Sequence, residues 1–173
     1  SVYASDLDQD GDKDLAVTNS YSSAARTLSV LVNEGMGTFQ SAVFYPVGTM
    51  PTSLKASDFD SDGDNDLAVT IGYTDKVAIL KNNGDATFQT AVNYTVGQTP
   101  WAVFISDFDN DSDMDLAVAN AGSNNVSILK NDGSGNFMDK TNYYAGETPV
   151  SVFASDFDGD GFNDLALTTV GNW

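Results

Sequence analysis

The 173 residues carry 25 acidic against 7 basic side chains, a formal net charge of −18, with no histidine and no cysteine. That balance excludes nucleic acid and anionic membrane surfaces as partners, since both need clustered Lys and Arg. It also removes disulfides, thiolate nucleophiles, the usual zinc and copper ligands and the commonest general base.

The chain opens mid-pattern at Ser1, so a processed or excised piece of something longer is expected. Its opening stretch, SVYASDLDQDGDKDLAVT (1–18), returns as TSLKASDFDSDGDNDLAVT (52–70), AVFISDFDNDSDMDLAVA (102–119) and SVFASDFDGDGFNDLALT (151–168). Nineteen of the 25 acids fall in these stretches, whose leading aspartates, Asp6, Asp58, Asp107 and Asp156, lie 52, 49 and 49 residues apart. Self-similarity at such a period is the mark of a repeat architecture. A hydrophobic content of 41% with seventeen Phe and Tyr sets the chain apart from a disordered acidic tail.

Each unit runs through the same elements. An apolar segment such as AVFIS (102–106) leads into the aspartate loop, and LAV (67–69, 116–118) leaves it, too short for a helix and suited to a strand buried on both faces. KVAILK (76–81) and NVSILK (125–130) predict a third strand. NEGMGTF (33–39), NNGDATF (82–88) and NDGSGNF (131–137) supply the turn, with glycine ready for positive φ. A fourth strand alternates with period two through Val43, Tyr45, Val47 and again through Val92, Tyr94, Val96. VGTMP (47–51), VGQTP (96–100) and AGETP (145–149) close the units. The expected fold is all-β, four-stranded antiparallel β-propeller blades at 1–48, 51–97 and 100–146, with a partial blade at 149–173. Three and a half blades fall short of the 4–8 of a closed ring, so either further blades or self-associating copies are expected to complete it.

Asp-x-Asp-x-Asp-Gly-x-x-Asp is calcium chemistry. Calcium takes six to eight hard oxygens in flexible geometry, and alternate carboxylates in a tight turn, bent at a glycine, can supply them. An EF-hand would need an acid at position twelve; Val17, Val69, Val118 and Leu167 stand there, so the closing carboxylate must come from position nine, Asp14, Asp66, Asp115 or Asp164. Four such ions, adding +8, would relieve much of the self-repulsion.

The repeated DxDxDGxxDLAV resembles the integrin-alpha-type propeller repeats called FG-GAP and their bacterial relatives, the VCBS repeats, over essentially the whole chain. The resemblance implies calcium bound by side chains at positions one, three, five and nine and by the carbonyl at seven. Carried across, the ligands are Asp6, Asp8, Asp10, Asp14 and the carbonyl of Asp12; Asp58, Asp60, Asp62, Asp66 and that of Asp64; Asp107, Asp109, Asp111, Asp115 and that of Asp113; Asp156, Asp158, Asp160, Asp164 and that of Phe162. Ser112 replaces glycine at position six of the third loop, where strain or a weaker site is expected. The Phe-Gly and Gly-Ala-Pro signatures are missing, which places the chain nearer the bacterial type.

Reversal of the chain at every turn puts the aspartate loops on one face of the ring and the turns at 19–27, 71–76 and 119–125 on the other. By analogy with integrins that other face is where ligand binds. Tyr21, Arg26, Tyr73, Lys76, Trp101 and Asn124 are the candidate ligand residues there, aromatics beside polar groups that suit sugar or protein recognition. The expected function is a non-catalytic, calcium-stabilised binding or adhesion module, secreted or at the cell surface. The alternative is the propeller portion of a polysaccharide lyase, or an accessory module of a glycan-degrading enzyme.

Overall fold

A computed structural model describes residues 1–20 and 27–171. Among the described residues every regular element is a strand. The first sheet holds β1 (Val2–Ser5), β2 (Asp14–Asn19), β3 (Thr27–Leu31) and β4 (Val43–Pro46) in that order, and the second holds β5 (Pro51–Ser57), β6 (Asp66–Ile71), β7 (Lys76–Leu80) and β8 (Val92–Thr95). The third consists of β9 (Pro100–Ser106), β10 (Asp115–Asn120), β11 (Asn125–Leu129) and β12 (Thr141–Tyr144), and β13 (Pro149–Ser155) pairs β14 (Asp164–Thr169) alone. All neighbours are antiparallel and sequential, the topology of propeller blades.

The register repeats with the sequence. Leu15 stands opposite Leu31, Leu67 opposite Leu80 and Leu116 opposite Leu129. The core lies between blades. Because alternate strand residues point to opposite faces, the LAV motif is shared between two interfaces. Leu67 and Val69 of β6 pack with Ala16, Leu28 and Val30 of the first blade, while Ala68 packs with Val103 and Leu116 of the third. Leu116 and Val118 face the second blade, and Ala117 and Ala119 face Val152 and Leu167 of the last. Large residues thus meet the preceding blade and alanines the following one. All six residues of β6 and of β10 are buried, each large one contributing about 1.5–3 kcal/mol of burial.

The outermost strands differ from the alternating pattern. Tyr45 and Tyr94 pack inward, but Val43 and Val92 are 51% and 53% exposed, and all four residues of β12 are exposed. An edge strand has a neighbour on one side only, so half of the apolar period meets solvent.

The two ends of each blade are separate environments. The aspartate loops meet the β3–β4, β7–β8 and β11–β12 turns at one end. At the other, the links between blades bond to the turns after the second strands, through Gly72 N–H to Met50 O (2.9 Å) and Ala121 N–H to Thr99 O (3.0 Å).

Candidate metal centres

All four aspartate loops share one scaffold. The position-one carboxylate accepts the N–H of position six through Oδ2: Asp6 from Gly11 (3.1 Å), Asp58 from Gly63 (2.9 Å), Asp107 from Ser112 (2.9 Å) and Asp156 from Gly161 (3.0 Å). The position-five carboxylate accepts the N–H of position seven, from Asp10 and Asp12 (2.8 Å) to Asp160 and Phe162 (2.9 Å), an Asx turn that folds the loop inward. Position six needs positive φ, with Gly11 at 94°, Gly63 at 95° and Gly161 at 90°. Ser112 adopts 78° and keeps the same bond, so the third loop has the common shape at the steric cost of a Cβ in the left-handed region. Position four is also left-handed, in Gln9 (62°), Ser61 (60°), Asn110 (61°) and Gly159 (81°). The sequence signals that requirement at Gly159 and, more weakly, at Asn110.

Position nine does more than close the loop. Asp14, Asp66 and Asp115 are fully buried. Through Oδ2 they accept the N–H of position two, Leu7 (2.8 Å), Phe59 (3.1 Å) and Phe108 (3.0 Å). Through Oδ1 they accept the N–H that opens the opposite turn, Asn33 (2.8 Å), Asn82 (2.7 Å) and Asn131 (2.8 Å). Each carboxylate therefore ties its loop to its own blade's last turn, with one lone pair per oxygen left over. Burial pushes the Asp66 carboxyl up to about 6, against the two N–H donors, and raises Asp115 in the same way. Among the described residues Asp164 keeps only the position-two bond, from Phe157 (3.0 Å).

The carboxylates converge. Oxygens of Asp6, Asp8 and Asp10 lie within 4.8 Å of one another, as do those of Asp58, Asp60 and Asp62, of Asp107, Asp109 and Asp115, and of Asp156, Asp158 and Asp164. Three oxygens in these clusters, Asp6 Oδ1, Asp60 Oδ1 and Asp109 Oδ1, are buried without a hydrogen-bond partner. A buried anionic oxygen facing other carboxylates is costly unless a cation shares the space. The donor set is hard oxygen throughout, which fits calcium and not a soft metal. Two loops carry an internal cation as well: Lys81 Nζ is 3.0 Å from Asp60 Oδ2, and Lys130 Nζ is 2.8 Å from Asp109 Oδ2. The Lys130 bond lowers the Asp109 carboxyl and raises the lysine.

Blades are stitched at this end. Asn82 Nδ2 and Ala86 N–H both donate to Leu7 O (2.8 and 2.9 Å), and Asn131 Nδ2 donates to Phe59 O (2.8 Å). Leu7 and Phe59 themselves are buried under the next blade. An apolar residue at position two of every loop was the available signal for this docking, an oily residue in an otherwise polar turn.

The opposite end holds the candidates Tyr73, Lys76, Trp101 and Asn124. Tyr21 and Arg26 lie outside the described residues. Tyr73 is 76% exposed, and Lys76 begins β7. Trp101 is 43% exposed and lines a cavity of about 190 Å³ with Ser20, Met50 and Thr52. Asn124 sits at φ 56° and accepts the Thr148 N–H (2.8 Å), as Asp75 accepts the Thr99 N–H (2.9 Å) one blade earlier. Among the described residues no hydrogen bond or ring contact joins Tyr73, Lys76, Trp101 and Asn124 to one another.

Comparisons with known proteins agree with this architecture. The model of the FG-GAP-like repeat matches residues 6–69, 58–118 and 107–167. No curated protein matches the sequence. Among solved structures, an Agrocybe aegerita lectin that specifically recognises non-reducing terminal N-acetylglucosamine is similar at 18% identity and TM-score 0.57, over 98% of this chain and 43% of that one. BBS1N, in complex with ARL6DN, is similar at 15% identity and TM-score 0.67, over 97% of this chain and 50% of that one. The Tc holotoxin pore of Photorhabdus luminescens is similar at 20% identity and TM-score 0.54, over 96% of this chain and 8% of that one. The chain thus spans half or less of each, and at these identities the likeness is one of fold.

Proposed function

This chain belongs to the FG-GAP-like repeat family, and from that premise we propose that it is a calcium-stabilised propeller module for recognition, without catalysis of its own. Each aspartate loop holds one calcium ion through positions one, three, five and nine and the carbonyl of position seven, about four ions in all. Calcium supplies charge neutralisation there and no reaction step.

The observation that carries this reading is the set of partnerless buried oxygens, Asp6 Oδ1, Asp60 Oδ1 and Asp109 Oδ1, inside converging carboxylates. A cation would satisfy them and reverse the upward push on Asp66 and Asp115. The absence of catalysis is supported by how the charged groups are used: the loop aspartates hold backbone N–H groups, and Lys140 donates to Val96 O (2.7 Å). The face opposite the loops binds a protein or carbohydrate, with Tyr73, Lys76 and Trp101 as contacts. The lectin and the BBS1N complex support recognition of this kind on related folds. Work outside the cell, secreted or at its surface, suits sites of this type because calcium there is millimolar. Further blades, or copies of this chain, cover the open faces.

The test is metal content after dialysis against calcium, with thermal melts in calcium and in excess chelator. About four ions per chain and a melt lowered in chelator are expected; an identical melt in both buffers overturns calcium as a stabiliser. A glycan array run beside an assay for unsaturated uronate products separates recognition from lyase activity.

A further inference from the structure

The seams between neighbouring aspartate loops are not built alike. Between the first and second loops, Gln9 Nε2 at position four bonds to Asp64 Oδ1, and Asn65 Nδ2 at position eight donates to Asp6 O (3.1 Å). Between the third and fourth, Asn110 Nδ2 donates to Gly161 O (3.3 Å) and Asn163 Nδ2 to Asp107 O (3.0 Å). The middle seam has Ser61 and Met114 at those positions, and among the described residues neither side chain makes such a bridge.

Lys81 lies at that seam. Its ammonium holds Asp60 Oδ2 at 3.0 Å in the second loop and donates to Ser134 O at 2.6 Å in the turn of the third blade. The place is shaped for it: a Cβ on Gly135 would meet Lys81 Cε at 2.8 Å. The corresponding turn residue one blade earlier is Ala86, also at positive φ (58° against 70°), so this turn admits a Cβ at the strain of a left-handed residue. In the first blade Val32 occupies the Lys81 position. Lys130 occupies it in the third, half exposed and, among the described residues, bonded to Asp109 alone.

We propose that Lys81 is a resident cation of the second loop, a strut that braces the second blade against the third without metal, beside the Asn131–Phe59 bond, and weakens calcium binding at that loop. This rests on the calcium reading above. With Oδ2 on the lysine, the oxygen that Asp60 has wholly free for an ion is Oδ1, buried and without a partner. The ammonium and a divalent ion then share one carboxylate, and their repulsion in a solvent-screened site is worth about a tenfold change in affinity. Lys81 is a positioning residue. Lys130 weakens calcium at the third loop in the same way but holds no neighbouring blade.

Calorimetric calcium titrations and melts in chelator and in saturating calcium, on the wild type, Lys81→Met, Gly135→Ala and Lys130→Met, test this. Lys81→Met is expected to tighten one site about tenfold, to lower the chelator melt by several degrees, and to melt close to the wild type in saturating calcium. Gly135→Ala, which displaces the lysine, tightens the same site, while its left-handed backbone adds a strain that lowers the melt in both buffers. Lys130→Met tightens a site and leaves the chelator melt near wild type. If the wild type binds calcium but Lys81→Met leaves all affinities unchanged or weakened, or lowers both melts equally, the strut proposal is overturned while the calcium reading stands. If the wild type binds no calcium, the calcium reading falls and the weakening of that site with it.

Discussion

β6, β10 and β14 are spelled almost alike, DLAVTI, DLAVAN and DLALTT, yet β14 stands in different surroundings from the other two. The first two are buried at every position; in β14, Leu165 and Leu167 are half-buried against the third blade while Ala166 is exposed. β2 shows the mirror image, with Ala16 buried under the second blade and Leu15 and Val17 only half-buried. The aromatic of the last turn follows the same rule. Phe88 and Phe137 are 8% and 7% exposed, each edge-on to a tyrosine of the preceding blade, whereas Phe39 of the first blade is 39% exposed. At position two the burial runs from Leu7 and Phe59 at 1%, through a half-buried Phe108, to Phe157 at 58% exposed. A blade is therefore half of two interfaces, and what a motif contributes depends on whether a neighbour stands on that side.

The contrast is sharpest at position nine. Asp66→Ala leaves two buried N–H groups, of Phe59 and Asn82, without their anionic acceptor and is expected to cost about 3–5 kcal/mol. Asp164→Ala loses a single, exposed bond and should cost about 1 kcal/mol. Denaturant unfolding in chelator, which removes the metal's own contribution, compares them, and equal losses would break the distinction between inner and end blades. A smaller gap is expected for packing. Leu116→Ala, fully buried between blades, should cost about 3 kcal/mol, and Leu165→Ala about 1 kcal/mol because its site collapses toward solvent. The smallest effect belongs to the loop backbone. Ser112→Gly should stabilise by about 0.5–1 kcal/mol, since φ 78° strains serine and not glycine, and the reverse change Gly63→Ser should cost as much. Thermal melts of the two variants check the sign.

Much of this was legible in the letters. The spacing of Asp6, Asp58, Asp107 and Asp156, the turns at Gly35, Gly84 and Gly133 and the β-branched runs place the strands and loops where they are found, because each depends on neighbours within one hairpin. The reading stopped short at four features. Gln9 and Ser61 give no sign of positive φ, since residues of their kind rarely adopt it unless surrounding bonds hold them there. Asp14, Asp66 and Asp115 look like one more loop aspartate each, and only the buried turn opposite them makes them anchors. The side chains of Asn82 and Asn131 reach carbonyls 75 and 72 residues away. Val43 and Val92 keep a buried-strand period on strands that meet solvent.

By itself, then, the sequence determined the repeat, the all-β blades and the acidic hairpin loops. Local spacing and turn chemistry suffice for those, acting over a few residues at a time. Only the tertiary structure decided which copy of each motif is buried, which aspartates anchor a turn, and that Lys81 crosses from one blade to the next. Those properties arise when faces far apart in the chain exclude water between them, and near-identical stretches acquire different surroundings by standing at different places in the row.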